Sequence, residues 1–269
     1  MRSRKLAISL VFLAVLAAAV QAAALQDVTV PTQTAAGELQ LPGILHRPAG
    51  DGPFPAVVML CGCGGVSGPD AAHQSAWAER LVGWGYVALQ VDSFSPRGPG
   101  SICDNTGSVS DDMRAGDAFA AKSYLSTLSF VDANNIAVLG FSHGAWAVMR
   151  VIDSSYRDKK VTPFKAAVAF YPYCHPLVDP DTPVLTFVGR KDDWSPASLA
   201  ESLGREYKNW SWKPDFSLTV YPNATHGFDD EGLRGGVDFM GHHLEYDSTA
   251  TTDAIARTRA FLAKYIARR

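Results

Sequence analysis

A serine flanked by glycines is the residue in this chain best placed to do chemistry. Gly140-Phe141-Ser142-His143-Gly144 follows directly on the apolar, β-branched run Ile136-Ala137-Val138-Leu139, and an Ala/Trp/Val/Met-rich helical stretch comes next. Strand, sharp turn and helix in that order predict a serine held with its Oγ exposed at the carboxyl edge of a sheet. The helix N-terminus beside it favours developing negative charge. Glycines on either side fit a turn, and a helix–strand contact, too tight for a side chain. The bland alternative is a chance match to a common pentapeptide, against which the flanking strand and helix weigh.

A serine hydroxyl is a weak nucleophile until a base takes its proton, and that base needs an orienting acid. Two later apolar runs end in candidates. Val184-Leu185-Thr186-Phe187-Val188 leads into Gly189-Arg190-Lys191-Asp192-Asp193-Trp194-Ser195-Pro196, and Leu218-Thr219-Val220-Tyr221 leads into Pro222-Asn223-Ala224-Thr225-His226-Gly227-Phe228. His226 is the expected base and Asp192 the expected acid. Asp193 is the competing acid, and a turn or cap role for Asp192 ahead of Pro196 is its bland alternative. The negative oxygen of a tetrahedral intermediate needs backbone donors. The N–H of His143 is one candidate. The N–H of Cys63, in the loop Cys61-Gly62-Cys63-Gly64-Gly65, is the other, with a plain tight turn as its alternative. Trp77, Phe94, Tyr173, Trp194 and Phe228 are candidate substrate-pocket residues, although such aromatics are also ordinary core.

The elements that must position these residues are legible in the pattern. Asp27 to Val30 and Glu38 to Leu45 read as an opening hairpin. Pro55 to Leu60, Tyr86 to Val91, Ala166 to Phe170, Val184 to Val188 and Phe216 to Val220 read as strands, with Gln74 to Trp84, Asp111 to Leu128 and Ala250 to Ile266 as helices. Strands alternating with helices predict an α/β fold with a mostly parallel sheet and helices on both faces. A long Pro/Gly/Ser loop runs from Asp92 to about Gly107. No repeat or linker divides the chain.

The 269 residues allow one large domain with a substantial core. A net charge of −3 and an apolar content of 47% give no nucleic-acid footprint and no sign of disorder. Arg2, Arg4 and Lys5 precede an apolar Leu6 to Val20, and Val20-Gln21-Ala22 offers small residues for cleavage. Residues 1–24 are therefore expected to be a signal peptide, cleaved after Ala22 or Ala24, and residues 25–269 a single exported domain without a membrane segment. An uncleaved anchor is the alternative.

Cys61, Cys63, Cys103 and Cys174 lack zinc-site spacing, and an exported chain with an even count favours disulfides. Sequence does not choose among the pairings. Cys103 with Cys174 is preferred, because it ties two long loops at the catalytic edge. Cys63 is the least expected partner, and free thiols are the bland alternative. The neighbours His242 and His243 read as surface residues rather than metal ligands, since adjacent side chains point apart.

With these residues in place the chain resembles the dienelactone hydrolase family of the α/β-hydrolase superfamily. The resemblance runs from about Gly52 to the C-terminal helix. It rests on Gly52-Pro53-Phe54-Pro55-Ala56-Val57-Val58, the Gly62 to Gly65 turn, Val91-Asp92-Ser93-Phe94 with Pro96-Arg97-Gly98, the serine elbow, Phe170-Tyr171-Pro172-Tyr173-Cys174, Gly189 to Pro196, and Ala224 to Phe228. It implies a Ser-His-Asp hydrolase of a small or medium ester, or of a lactone, needing no metal or organic cofactor. Peptidase or acyltransferase activity on the same triad, and a silent binding protein on the same scaffold, are the competing readings. Two departures stand out. The family's namesake enzymes use a cysteine nucleophile where Ser142 stands. Related hydrolases often carry a histidine at the position of Cys61, where it organises the glycine loop.

Overall fold

The computed structural model describes residues 24–158, 160–208 and 214–267. The basic and apolar segment read as a leader, Arg2 to Val20, lies outside them. Strands β1 (Ala24–Thr34) and β2 (Gly37–Arg47) form the opening hairpin. β3 (Phe54–Leu60), β4 (Val87–Val91), β5 (Val131–Phe141), β6 (Ala167–Phe170), β7 (Val184–Gly189) and β8 (Phe216–Tyr221) complete a sheet of order β1-β2-β4-β3-β5-β6-β7-β8. β2 meets β4 antiparallel, and every pair from β4 to β8 is parallel.

The inner strands β3, β4, β6 and β7 are buried on both faces, which is why they read as unbroken apolar runs. All seven residues of β3 are buried. Ala56, Val58 and Leu60 pack with helices α2 (Asp111–Ser126), α3 (His143–Val151) and α4 (Ala197–Lys208). Val57 and Met59 point the other way, towards α1 (Ala71–Gly83) and α5 (Ser248–Tyr265). Side chains alternate across a strand, so one run serves both layers. The Ser110 hydroxyl accepts the Met113 N–H at 3.2 Å and caps α2, and Asp247 caps α5 in the same way.

The register brings together the loops that carry Ser142, Asp192 and His226. Leu60 pairs with Gly140, Phe141 with Phe170, Phe170 with Phe187, and Gly189 with Tyr221. The carboxyl ends of β3, β5, β6, β7 and β8 are therefore level, and the loops after them emerge side by side.

Two features lie beyond the sequence reading. Helix α4 begins just after Pro196, its buried Ala197, Ala200, Leu203 and Tyr207 spaced along one face. The segment carrying His242 and His243 is a hairpin of β9 (Val237–Phe239) and β10 (His242–Leu244). Its turn places Met240 at φ 51° and Gly241 at φ 86°, the left-handed pair that a two-residue hairpin needs. A methionine there gives no turn signal in sequence.

Candidate active site

Ser142 sits between β5 and α3 at φ 51° and ψ −118°, a strained conformation for a residue with a Cβ. Close approach explains the glycines around it. A Cβ on Gly144 would lie 2.2 Å from the Leu60 carbonyl oxygen, and one on Gly140 would lie 2.4 Å from that of Gly144. The helix can start against β3 only because these positions are bare.

The Ser142 hydroxyl lies 2.8 Å from His226 Nε2, and His226 Nδ1 lies 2.9 Å from Asp192 Oδ2. A carboxylate accepts only, so Nδ1 carries the ring proton and Nε2 is left to accept the serine's. The other oxygen of Asp192 accepts the backbone N–H groups of Trp194 at 2.9 Å and Ser195 at 2.7 Å. Both Asp192 and His226 are buried. Asp193 turns away and meets His242 at the surface. The acid that reaches the imidazole is therefore Asp192. His243 pairs with Asp238, so each of the adjacent histidines has its own carboxylate partner.

The imidazole is held from both sides. The Tyr171 ring centroid lies 4.6 Å from it and that of Trp194 lies 5.2 Å away. Tyr171 is itself strained, at φ 43°. Its hydroxyl donates to Asp229, which also accepts from Trp77 Nε1 and bonds to His73 Nε2. Burial pushes the Asp229 carboxyl up, but the His73 charge and three hydrogen bonds outweigh it and hold it below its usual range. Burial likewise opposes charge on His73, and Asp229 overrides it, raising the imidazole. This buried polar layer behind His226 was invisible in sequence, because its members come from three separate segments.

The oxyanion candidates line one cavity with the same serine. His143 is the first residue of α3, and Cys63 lies in the loop after β3. A Cβ on Gly62 would stand 3.7 Å from Ser142 Cβ, which places this loop directly over Ser142. The loop is fixed by a Cys63–Cys103 disulfide and by the Ile102 N–H donating to the Cys63 carbonyl at 2.9 Å. This corrects the expected Cys103–Cys174 pairing: Cys61 and Cys174 are buried free thiols. The loop from Asp92 to Gly107 folds back under the glycine turn, which carries Cys103 to Cys63 rather than across to Cys174.

Two cavities open on either side of Ser142. The larger, about 640 Å³, is walled by Tyr171, Trp194, Leu233, Val237 and Phe239, with Asp70 and His73 at one end. The smaller, about 270 Å³, lies between Thr106, His143, Trp146, Tyr173 and Trp194. Trp194 and Cys63 line both. Of the expected pocket aromatics, Tyr173 and Trp194 line cavity walls. Trp77, Phe94 and Phe228 do not; each is fully buried behind the wall, Trp77 bonded to Asp229 and Phe228 packed on Tyr171. The apolar wall comes instead from the β9–β10 hairpin.

The profile of the dienelactone hydrolase family matches residues 41–266 of this chain. The chain belongs to that family. With it comes the class of carboxylic ester hydrolases. A protein of Synechocystis sp., provisionally named a carboxymethylenebutenolidase, is 25% identical over 254 residues, spanning 84% of this chain and 91% of that one. A crystal structure from Klebsiella pneumoniae, provisionally described as a dienelactone hydrolase, superimposes with a TM-score of 0.70 at 21% identity, covering 91% of this chain and 100% of the other. Esterase 2 of Thermogutta terrifontis, phosphorylated by paraoxon, does so at 0.65 and 19% identity, over 88% of this chain and 94% of that one. These likenesses confirm an α/β-hydrolase fold. At Cys61, where the sequence departs from the histidine of related hydrolases, an arginine supports the glycine loop. The guanidinium of Arg114 donates to the Cys61 carbonyl at 2.7 Å.

Proposed function

We propose that the protein is an exported serine esterase that cleaves small or medium esters, lactones included, through an acyl-enzyme. The observation that carries this reading is the unbroken hydrogen-bonded line from Ser142 through His226 to Asp192. Ser142 Oγ attacks the ester carbonyl as His226 Nε2 takes its proton. Asp192 holds the imidazole in the accepting tautomer and stabilises the imidazolium that forms. The N–H groups of His143 and Cys63 receive the developing oxyanion. His226 then gives its proton to the leaving alkoxide. Water, deprotonated by the same imidazole, hydrolyses the acyl-enzyme and frees Ser142.

The two cavities suit a substrate that straddles the serine. The bulkier apolar portion fits the larger space beside Val237 and Phe239, and the shorter portion fits the aromatic space beside Trp146 and Tyr173. Export is supported by the basic and apolar residues before position 21 and by the disulfide, a bond of oxidising compartments.

The test is a screen of ester chain lengths, aryl esters and lactones against the purified protein, with Ser142→Ala as control. We expect p-nitrophenyl acetate turnover to fall on the order of a thousandfold or more in the variant, with the circular dichroism unchanged. Wild type should take a serine-directed fluorophosphonate and the variant should not. Near-normal turnover by folded Ser142→Ala refutes the nucleophile. N-terminal sequencing of exported material should begin near Leu25; a retained leader refutes cleavage, and confinement of the protein to the cytoplasm refutes export.

A further inference from the structure

Arg114 stands out as a cation in the protein interior. It is fully buried on α2, and no carboxylate among the described residues forms an ion pair with it. The nearby Asp117 is taken by Arg97, in a two-pronged contact at 2.8 and 2.9 Å. Taking an unpaired guanidinium out of water is costly, so its contacts must repay that cost in another way. Those contacts converge on one place. Nη2 donates to the Cys61 carbonyl at 2.7 Å and Nη1 donates to His143 Nδ1 at 3.0 Å. The Phe94 ring closes the other side, 4.7 Å from Cζ.

Each acceptor belongs to one half of the oxyanion site. The Cys61 carbonyl sits two residues before the Cys63 N–H. The His143 ring is carried by the residue whose own N–H is the second donor. With Nδ1 accepting from Arg114, the ring proton is on Nε2, which donates to the Thr106 carbonyl at 3.1 Å. The ring is thus pinned at both nitrogens. One planar fork spans the loop after β3 and the first turn of α3, and sets the distance between the two donors.

We propose that Arg114 is a positioning residue for the oxyanion hole, holding the N–H groups of Cys63 and His143 at the spacing a tetrahedral intermediate requires. This rests on Ser142 being the nucleophile. A lysine presents a single nitrogen and no planar fork, so it cannot reproduce the separate contacts of Nη1 with His143 and of Nη2 with Cys61.

The test compares wild type, Arg114→Ala and Arg114→Lys, with the disulfide intact, on p-nitrophenyl acetate. Misplacing a donor should cut kcat by about a hundredfold, in line with the loss of one oxyanion donor, and leave KM within a few-fold. Methylguanidinium at tens of millimolar should restore part of the turnover of Arg114→Ala. It should do nothing for Ser142→Ala. A purely structural arginine would change melting temperature without this split or this rescue. Should Arg114→Ala fail to fold, Arg114→Lys decides: a folded lysine variant with wild-type kcat overturns the proposal. So does a folded alanine variant with wild-type kcat, or one whose loss methylguanidinium does not repair. If wild type itself turns over no ester and takes no fluorophosphonate, the esterase reading has failed, and the assignment of Arg114 falls with it.

Discussion

Removing the Cys63–Cys103 disulfide should weaken both the fold and the reaction, and the connectivity sets the scale. The bridge joins residues 40 apart in sequence. Closing a loop of that length removes chain entropy from the unfolded state equivalent to about 4 kcal/mol at room temperature. For a domain of this size that corresponds to roughly 8 to 16 °C in Tm. The perturbation is the double variant Cys63→Ala/Cys103→Ala, compared with wild type by thermal melts with and without a phosphine reductant. The reductant should lower the wild-type Tm to near that of the variant and leave the variant unmoved. Turnover should fall as well, since the bridge anchors Cys63, the proposed oxyanion donor, but by less than the loss of a whole donor.

The remaining thiols provide an internal check. Burial pushes the Cys61 thiol up to about 11 and the Cys174 thiol up to about 12, so neither supplies thiolate at neutral pH. Alkylation should label neither in native protein, both in unfolded unreduced protein, and all the cysteines after reduction. A variant that melts within about 2 °C of wild type, far inside the shift expected for such a loop, refutes the reasoning. Peptide mapping that finds Cys103 joined to Cys174 refutes the connectivity on which it stands.

Asp192→Asn should lower kcat about a thousandfold or more, because asparagine keeps the shape but not the charge that stabilises the imidazolium. Asp193→Asn, whose carboxylate meets only the surface His242, should stay within a few-fold, and the reverse order in folded variants would rule out Asp192 as the acid. A second expectation concerns His143, where burial and the Arg114 charge push the imidazole down from 6.5 to about 4. Between those values the unfolded chain binds the proton and the folded chain does not. Stability from this site is therefore full above about 6.5 and is lost as pH falls towards 4, by up to about 3 kcal/mol. His143→Asn should show a shallower fall in Tm from pH 7 to pH 4 than wild type, and an equal fall in the two proteins would refute this account.

That Ser142, His226 and Asp192 would meet was legible in sequence because each has a local signal. A strand ends, a short loop carries the reactive side chain, and glycine or proline marks the turn. The parallel register then brings the loops together without further instruction. The choice of Asp192 over its neighbour was legible for the same reason, since the loop from Gly189 to Pro196 sets one carboxylate inward and the next outward. The disulfide was not legible. Four cysteines on neighbouring loops leave the pairing to the path of the long segment from Asp92 to Gly107, whose course is fixed by tertiary packing. Of the expected pocket aromatics, Tyr173 and Trp194 line the cavities, whereas Trp77, Phe94 and Phe228 are buried one layer deeper.

Arg114 was missed because every local rule sends it to the surface. It lies in the first turns of α2, where the helix dipole disfavours a cation, and an arginine on a helix usually reaches water. Its partner acids in sequence, Asp111 and Asp112, belong to Arg150 instead. What buries it is the meeting of α2 with the glycine loop and α3, contacts distant in the chain. A local rule broken in the interior, beside a strained serine and a strained tyrosine, marks where the fold accepts instability for the sake of geometry. By that logic the most informative residues for the reaction are those whose placement composition and periodicity would forbid. In this chain they gather around Ser142: Arg114 with no ion-paired carboxylate among the described residues, Ser142 and Tyr171 with positive φ, and Asp229 buried behind Tyr171 and His226.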